Sequence, residues 1–221
     1  YIRCLGAWNG DLIVAGNFDG IGGVAADKVA RYDESQWHAF PAPVGSWVDA
    51  VAEWDGQLAI AGVRLDAEGP GEYGVAIWTG SEWDQLPVVF DSTIECLRAH
   101  AGYLFAGGRF RHVDEMAAAH LAAWDGTSWR FVGEGCNGWV RDLVVWDDRL
   151  WIGGNFTTAG GLRANGLTSW SDDPVLAGED ADIGGGGPIL ESPHPNPFNP
   201  RTTLAFTLPE AGPVHLALFP L

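Results

Sequence analysis

The sequence predicts an all-β fold built from repeated units, and three observations support that prediction. The 221 residues include 31 Gly and 12 Trp, and glycine weakens helices whereas tryptophan favours strands. No stretch carries the 3.6-residue hydrophobic period of a helix over a useful length. Side chains of one type recur at a constant spacing of 46 residues along the chain, which indicates a repeat architecture.

The repeat is clearest in aligned columns of aromatic residues and glycines. His100 fills the one gap in the first tryptophan column, and Trp47 and Trp139 share a further column. The columns are Trp8, Trp54 and Trp146; Tyr32, Trp78, Trp124 and Trp170; Trp37, Trp83 and Trp129; Gly16, Gly62, Gly108 and Gly154; and Leu12, Leu58, Leu104 and Leu150. The tryptophan content is therefore architectural rather than catalytic.

Each unit is expected to hold four short antiparallel strands. Asn9-Gly10 and Asp55-Gly56 are preferred central pairs of two-residue hairpin turns, because both residues tolerate positive φ. A loop of about ten residues should separate the second and third strands, and Asp125-Gly126-Thr127-Ser128 should turn the chain before the fourth. In unit 3 the predicted strands cover residues 94–99, 103–108, 119–124 and 129–132.

Four such strands in a repeat of this length describe one blade of a β-propeller. The four units begin at residues 1, 47, 93 and 139, and together they span residues 1–171. The fourth unit is incomplete, because Val175 stands where the fourth-strand tryptophan is expected. We expect a ring of more than four blades, in which the indoles fill the wedge between neighbouring blades and the glycines allow close approach or a bend.

The composition changes after Trp170. Residues 172–192 carry six acidic side chains without one Lys or Arg, and a run of four glycines, which predicts a solvated linker. Four prolines between Pro193 and Pro200 favour an extended segment. Residues 202–208 and 214–218 alternate apolar and polar side chains, as the first hairpin of a β-sandwich would, so residues 193–221 are predicted to begin a second, truncated domain.

Pro195-Asn196-Pro197-Phe198-Asn199-Pro200, with the Arg-Thr-Thr-Leu-Ala-Phe-Thr-Leu-Pro-Glu-Ala-Gly that follows, resembles the opening of a C-terminal domain of secreted bacterial proteins. These are the type IX secretion sorting domains and the similar FlgD-like immunoglobulin domains. The resemblance covers about 27 residues. It implies export, a secretion machinery as partner, and attachment to the cell surface or release.

The repeats resemble secreted bacterial propellers of the kelch and galactose-oxidase type. The phrases that carry this resemblance are Asn155-Phe-Thr-Thr-Ala-Gly-Gly161 and Ala123-Trp-Asp-Gly-Thr-Ser-Trp129. The kelch double glycine is kept at Gly107-Gly108 and Gly153-Gly154, but the first two units have Ala-Gly instead. The four tyrosines do not match the copper site of galactose oxidase, and no cofactor is expected.

Charge and cysteine content exclude several classes. The formal net charge is −17, which argues against nucleic acid as a partner and against docking on anionic lipid. The chain has no apolar run of about 20 residues that would span a membrane. Cys4, Cys96 and Cys136 follow no CxxC or zinc spacing, and we expect free or buried thiols.

One loop carries residues that bind metals elsewhere. His112, Asp114, Glu115 and His120 are candidates for a metal or acid–base site, with an ordinary solvated loop as the alternative. Asp19-Gly20-Ile21-Gly22-Gly23 is conceivable as a calcium loop, or else as a turn that needs positive φ.

The function expected from the sequence is an exported, extracellular or cell-surface propeller that serves binding or display, with a glycan or a protein as ligand. The alternative is a secreted carbohydrate-active enzyme whose catalytic residues lie outside this stretch. No catalytic residue is assigned within the chain, because no nucleophile, phosphate-loop or zinc-protease motif occurs. A structural spacer is a third possibility.

Overall fold

The computed structural model describes residues 1–41, 47–63 and 72–170, together with short strands at 189–190, 194–199, 201–203 and 206–207. The predicted all-β class is confirmed, since no residue in these ranges lies in a helix. Accordingly, no helix that could cross a membrane is found in the described part of the chain. The chain forms two compact units, Tyr1–Ala177 and Gly178–Leu221.

The 46-residue repeat folds as one antiparallel sheet per unit. Units 1 to 3 have four strands in sequential order, and unit 4 has three among the described residues. The strands are Ile2–Trp8, Asp11–Gly16, Val29–Tyr32 and Trp37–Ala39 in unit 1; Val48–Trp54, Gln57–Val63, Tyr73–Trp78 and Trp83–Gln85 in unit 2; Ile94–His100, Tyr103–Gly108, Leu121–Trp124 and Trp129–Phe131 in unit 3; and Val140–Trp146, Arg149–Gly154 and Leu167–Trp170 in unit 4. These are the sheets of β-propeller blades.

The turns between first and second strands form as the sequence predicts. Asn9 and Gly10 have φ of 51° and 86°, and Asp147 and Asp148 have φ of 51° and 56°. Positive φ at both central residues is the conformation that pairs two twisted strands through a two-residue loop. Even Ala101 adopts a φ of 48° at this position, so the hairpin imposes the conformation on a residue that does not favour it.

A small hairpin lies within the long loop of three units, and the sequence did not reveal it. Its paired strands are Gly20–Ile21 with Val24–Ala25, His112–Val113 with Met116–Ala117, and Thr158–Ala159 with Leu162–Arg163. Strands of two residues are too short to show an alternating pattern. In unit 1 the turn contains Gly22 and Gly23 at positive φ, in agreement with the turn interpretation of residues 19–23.

The hydrophobic core is divided among three clusters, and each lies between consecutive units. Ile13 and Val29 of unit 1 pack with Leu58 and Ile60 of unit 2 in the first cluster. The second joins units 2 and 3, and the third joins units 3 and 4. Indoles do pack between units, as expected: Trp78 and Trp83 of unit 2 contact the Phe40 ring of unit 1 at centroid distances of 5.1 and 5.5 Å.

The described tail strands pair in a way that the sequence did not predict. His194–Asn199 pairs with Arg201–Thr203, and Ile189–Leu190 pairs with Phe206–Thr207. Pro195 to Asn199 are therefore extended, as the prolines suggested, whereas Pro200 and residues 208–221 lie outside the described residues. The predicted partner strand at 214–218 falls in that range.

Candidate functional site

A β-bulge occurs at the same place in the first strand of every unit. The pairing register shifts between Ile2 and Cys4, and at the corresponding positions of the other three units. A bulge leaves one residue out of the ladder and redirects its side chain, and bulges are frequent beside functional sites. The extra residues are Arg3, Asp49, Glu95 and Arg141, which we call the bulge column.

The bulge column is charged in all four units, and its members form ion pairs between units. Arg3 pairs with Asp49 across units 1 and 2, and Glu95 pairs with Arg141 across units 3 and 4. The first strands of consecutive units lie side by side, so residues 46 positions apart meet. Burial raises the pKa of Asp49, Glu95 adds to the rise, and Arg3 and Trp47 oppose it.

Trp139 packs with two arginines at this end of the strands. The indole of Trp139 is 39% exposed. The guanidinium carbons of Arg109 and Arg141 lie 4.4 and 5.0 Å from its ring centroid, within the range of cation–π attraction. We call Trp139, Arg109, Arg141, Glu95 and Asn155 the Trp139 cluster.

Hydrogen bonds fix both arginines of the Trp139 cluster. Arg109 Nε donates to Glu95 Oε1 at 2.5 Å, and Arg141 Nη1 donates to Glu95 Oε2 at 2.8 Å. Arg141 Nε also donates to Asn155 Oδ1 at 3.0 Å. Each carboxylate oxygen of Glu95 thus accepts a hydrogen bond from one arginine. Both arginine side chains remain 42% exposed. The arrangement presents planar, preorganised donors together with the part of the indole that they leave exposed.

The bulge column does not stand out in the sequence, because its four residues are not identical. A search by charge class would have found it, since only 19% of the chain is charged and all four positions are. The neighbouring column of Trp47 and Trp139 was recognised, but only as architecture. Trp47 Nε1 donates to Asp49 Oδ2 at 2.9 Å, which links the two columns.

The four residues that the sequence suggests as metal ligands do not lie together. Three are on the surface, His112, Asp114 and Glu115, and His120 is buried. His112 Nδ1 lies 2.9 Å from Asp91 Oδ2, and Asp114 Oδ1 accepts the backbone N–H of Val89 at 2.8 Å. Glu115 is exposed on the same hairpin, whereas His120 is 4% exposed. Burial and Arg111 lower the pKa of His120. No group of three or more His, Cys, Asp or Glu side chains suited to a metal ion occurs among the described residues.

The cysteines contribute no bond and no reactive centre to the described region. All three are free, and Cys96 and Cys136 are buried. Burial raises the pKa of the Cys4 thiol to about 12 and that of Cys136 to about 11, so both stay protonated at neutral pH. Free or buried thiols were expected; all three are free, and Cys4 is half-buried.

A concave surface lies at the opposite end of the strands from the bulges. Its volume is about 480 Å³. Hydrogen bonds from Thr127, Ser128 and Arg130 hold the pKa of Asp125 well below its usual range, so the Asp125 carboxylate on this wall of the groove stays ionised. The groove is lined by Trp54, Asp55, Ala99, His100, Ala101, Gly102, Tyr103, Asp125 and Gly126.

The comparisons with known proteins give a resemblance of fold only. No family model and no curated protein matches the chain. Among solved structures, the WD40 beta propeller domain of Doa1 is similar, with a TM-score of 0.45 and 13% identity over 78% of this chain. That match covers 52% of the Doa1 chain, so the present chain spans about half the length of that structure.

Proposed function

We propose that this β-propeller chain is a binding module whose ligand contacts the Trp139 cluster. The bulges supply the observation that carries the proposal, because they direct charged side chains to one end of four adjacent first strands. Arg109, Arg141 and Glu95 already hold one another in place. A ligand would therefore meet donors that need little ordering on binding, which favours affinity.

The proposed ligand class is a glycan that carries carboxylate groups. The part of the Trp139 indole that the two guanidinium groups leave exposed can contact the apolar face of a sugar ring, and guanidinium groups bind carboxylates through paired N–H donors. Each guanidinium has five such donors, and the bonds described above use one from Arg109 and two from Arg141. Two arginines against Glu95 leave one positive charge at the cluster, in a chain of net charge −17.

Calorimetry with an oligogalacturonate and a neutral oligosaccharide of equal length tests this proposal. We expect binding of the acidic sugar only, and at least about tenfold weaker binding in Trp139→Ala and in Arg109→Gln. Trp146→Ala is the matched control, because it removes another exposed indole, 66% accessible. Absence of binding, equal loss in the control, or cleavage of the sugar would contradict the proposal; cleavage would favour the enzyme alternative.

We also propose that the protein is exported through its C-terminal segment. The support is the resemblance of Pro195–Pro200 and the residues after them to bacterial sorting domains. Fractionation of producing bacteria tests the proposal. The natural protein should reach the cell surface or the medium, and a variant that ends at residue 192 should stay inside; equal export of both would contradict the proposal.

A further inference from the structure

The groove between the hairpin turns of units 2 and 3 takes no part in the proposed glycan site. It lies at the opposite end of the strands from the Trp139 cluster, and its volume of about 480 Å³ is within the range of small-molecule sites. Unit 2 contributes Trp54 and Asp55, and unit 3 contributes residues 99–103 with Asp125 and Gly126. The groove is therefore a separate candidate for ligand binding.

The groove is open because unit 3 carries a small side chain where unit 2 carries a glutamate. Between units 1 and 2, the Glu53 side chain reaches across the junction, and its Oε2 accepts the backbone N–H of Asn9 at 3.2 Å. The residue 46 positions after Glu53 is Ala99, which lines the groove. The space that a glutamate crosses at one junction is thus left unfilled at the next.

A second small residue, Ala101, borders the groove in a conformation that alanine does not favour. The corresponding residues of the other units are Asn9, Asp55 and Asp147, and all four have φ between 48° and 51°. Asparagine and aspartate tolerate this left-handed conformation better than alanine does. Unit 3 therefore accepts backbone strain and omits the longer side chain, and strain of this kind is concentrated at functional sites.

The groove presents one indole and two carboxylates to a ligand. Trp54 is half-buried, and its Nε1 donates to the Gly102 carbonyl at 3.1 Å, which fixes the indole beside the groove. Asp55 is exposed, and Asp125 stays ionised through the hydrogen bonds described above. Arg130 pairs with Asp125, so these three charged side chains leave one net negative charge.

We propose that this groove binds an organic cation, whose ammonium group lies between the Trp54 indole and the Asp55 carboxylate. Both groups attract a positive charge, whereas the negative groove repels the acidic sugar proposed for the Trp139 cluster. The ammonium group belongs to a small molecule such as choline or to a lysine side chain. The inference goes beyond the proposed function, because both the site and the ligand are different.

An NMR titration that follows the indole N–H signal of Trp54 tests the proposal. The probes are choline and a lysine blocked at both ends. Their uncharged analogues are the alcohol in which carbon replaces the choline nitrogen, and a blocked norleucine. We expect a saturable shift of the Trp54 signal with at least one cation, and at least about tenfold weaker binding of its uncharged analogue. The stronger of the two cations identifies the source of the ammonium group.

Two substitutions at Ala101 separate the open groove from the strained turn. Ala101→Asn should raise the urea midpoint, because asparagine suits the positive φ, and should weaken cation binding at least about tenfold, because its side chain occupies the groove. Ala101→Gly is the matched control: glycine also suits this φ but adds no side chain, so cation binding should persist.

A charge variant tests the role of the carboxylate. Asp55→Asn places at this turn the residue that unit 1 has there, so the turn should form, and cation binding should weaken at least about tenfold. Trp139→Ala should leave cation binding unchanged, which separates this result from the outcome for the sugar. Absence of a shift with both cations, equal binding of the uncharged analogues, or unchanged binding in Asp55→Asn would overturn the proposal.

Discussion

The glycines at positions 16, 62, 108 and 154 stand where a backbone carbonyl leaves no room for a side chain. A Cβ at Gly154 would lie 2.1 Å from the carbonyl oxygen of Trp139, and one at Gly108 would lie 2.2 Å from that of Thr93. The close approach is within one sheet, between the second strand and the residue that precedes the first strand. Glycine at these positions thus leaves room for the backbone that leads into the bulged first strand.

Neighbouring glycines of unit 4 should respond differently to an added methyl group. Gly154→Ala is expected to lower the free energy of unfolding by about 1–3 kcal/mol, because the backbone must shift to relieve the overlap. At Gly153 the nearest atom to a new Cβ is 4.0 Å away, and units 1 and 2 have alanine there. Gly153→Ala should leave stability unchanged or raise it by up to about 1 kcal/mol. Urea unfolding measures both, and equal losses would show that the overlap is not real.

The indole nitrogen of Trp54 ties unit 2 to unit 3. Trp54→Phe keeps most of the packing but removes the hydrogen bond to the Gly102 carbonyl, so we expect a loss of about 1 kcal/mol in urea unfolding. Trp146→Phe is the matched control, in the same column but 66% exposed, and should have no measurable effect. A similar loss of unfolding free energy in both variants would show that the loss in Trp54→Phe does not come from the hydrogen bond.

At the scale of elements, Asp91 joins two loops near the small hairpin of unit 3. Its Oδ1 accepts the backbone N–H groups of Arg111 and His112, at 2.8 and 3.1 Å, and its Oδ2 meets the His112 ring. Burial alone would raise the pKa of Asp91, but these hydrogen bonds bring it below its ordinary value. The carboxylate therefore stabilises the folded loop only while it is ionised.

Asp91→Ala should loosen this hairpin without unfolding the sheets. We expect amide exchange at Arg111 and His112 to rise about threefold to tenfold, the equivalent of about 1 kcal/mol for the lost hydrogen bonds. In the unchanged chain the same amides should lose protection as the pH falls through the lowered folded pKa, below the ordinary value of about 4. If both amides exchange as slowly in the variant as in the parent chain, Asp91 does not hold the loop.

The elements show which features a single sequence reveals. Columns of identical residues predicted the units, the strands and the two-residue turns. Examples are the tryptophan columns and the glycine column at positions 16, 62, 108 and 154. The bulge column was hidden because Arg3, Asp49, Glu95 and Arg141 are complementary rather than identical. The small hairpins were hidden because strands of two residues have no period. Which glycine of the Gly-Gly pair is indispensable follows only from the carbonyl that lies beside it.

On the scale of the whole molecule, stability resides between the units rather than within them. Each sheet has two apolar faces, and the three clusters each join two consecutive units. The faces that have no described neighbour carry the exposed apolar side chains: Ile2, Leu5 and Leu12 on unit 1, and Trp146 and Leu167 on unit 4. Stability should therefore depend on the number of units that are present together.

Consecutive units should pack with their first strands side by side, and a disulfide between two of these strands tests this most directly. A Cβ built on Gly6 of unit 1 lies 3.7 Å from Val51 Cβ of unit 2, close to the mean of about 3.8 Å in disulfides. In a chain whose native cysteines are changed to Ala, Gly6→Cys with Val51→Cys should oxidise readily and completely. Gly6→Cys with Ala52→Cys is the control, because the next side chain along a strand points to the other face. Crosslinking no greater than in that control would contradict the packing of unit on unit.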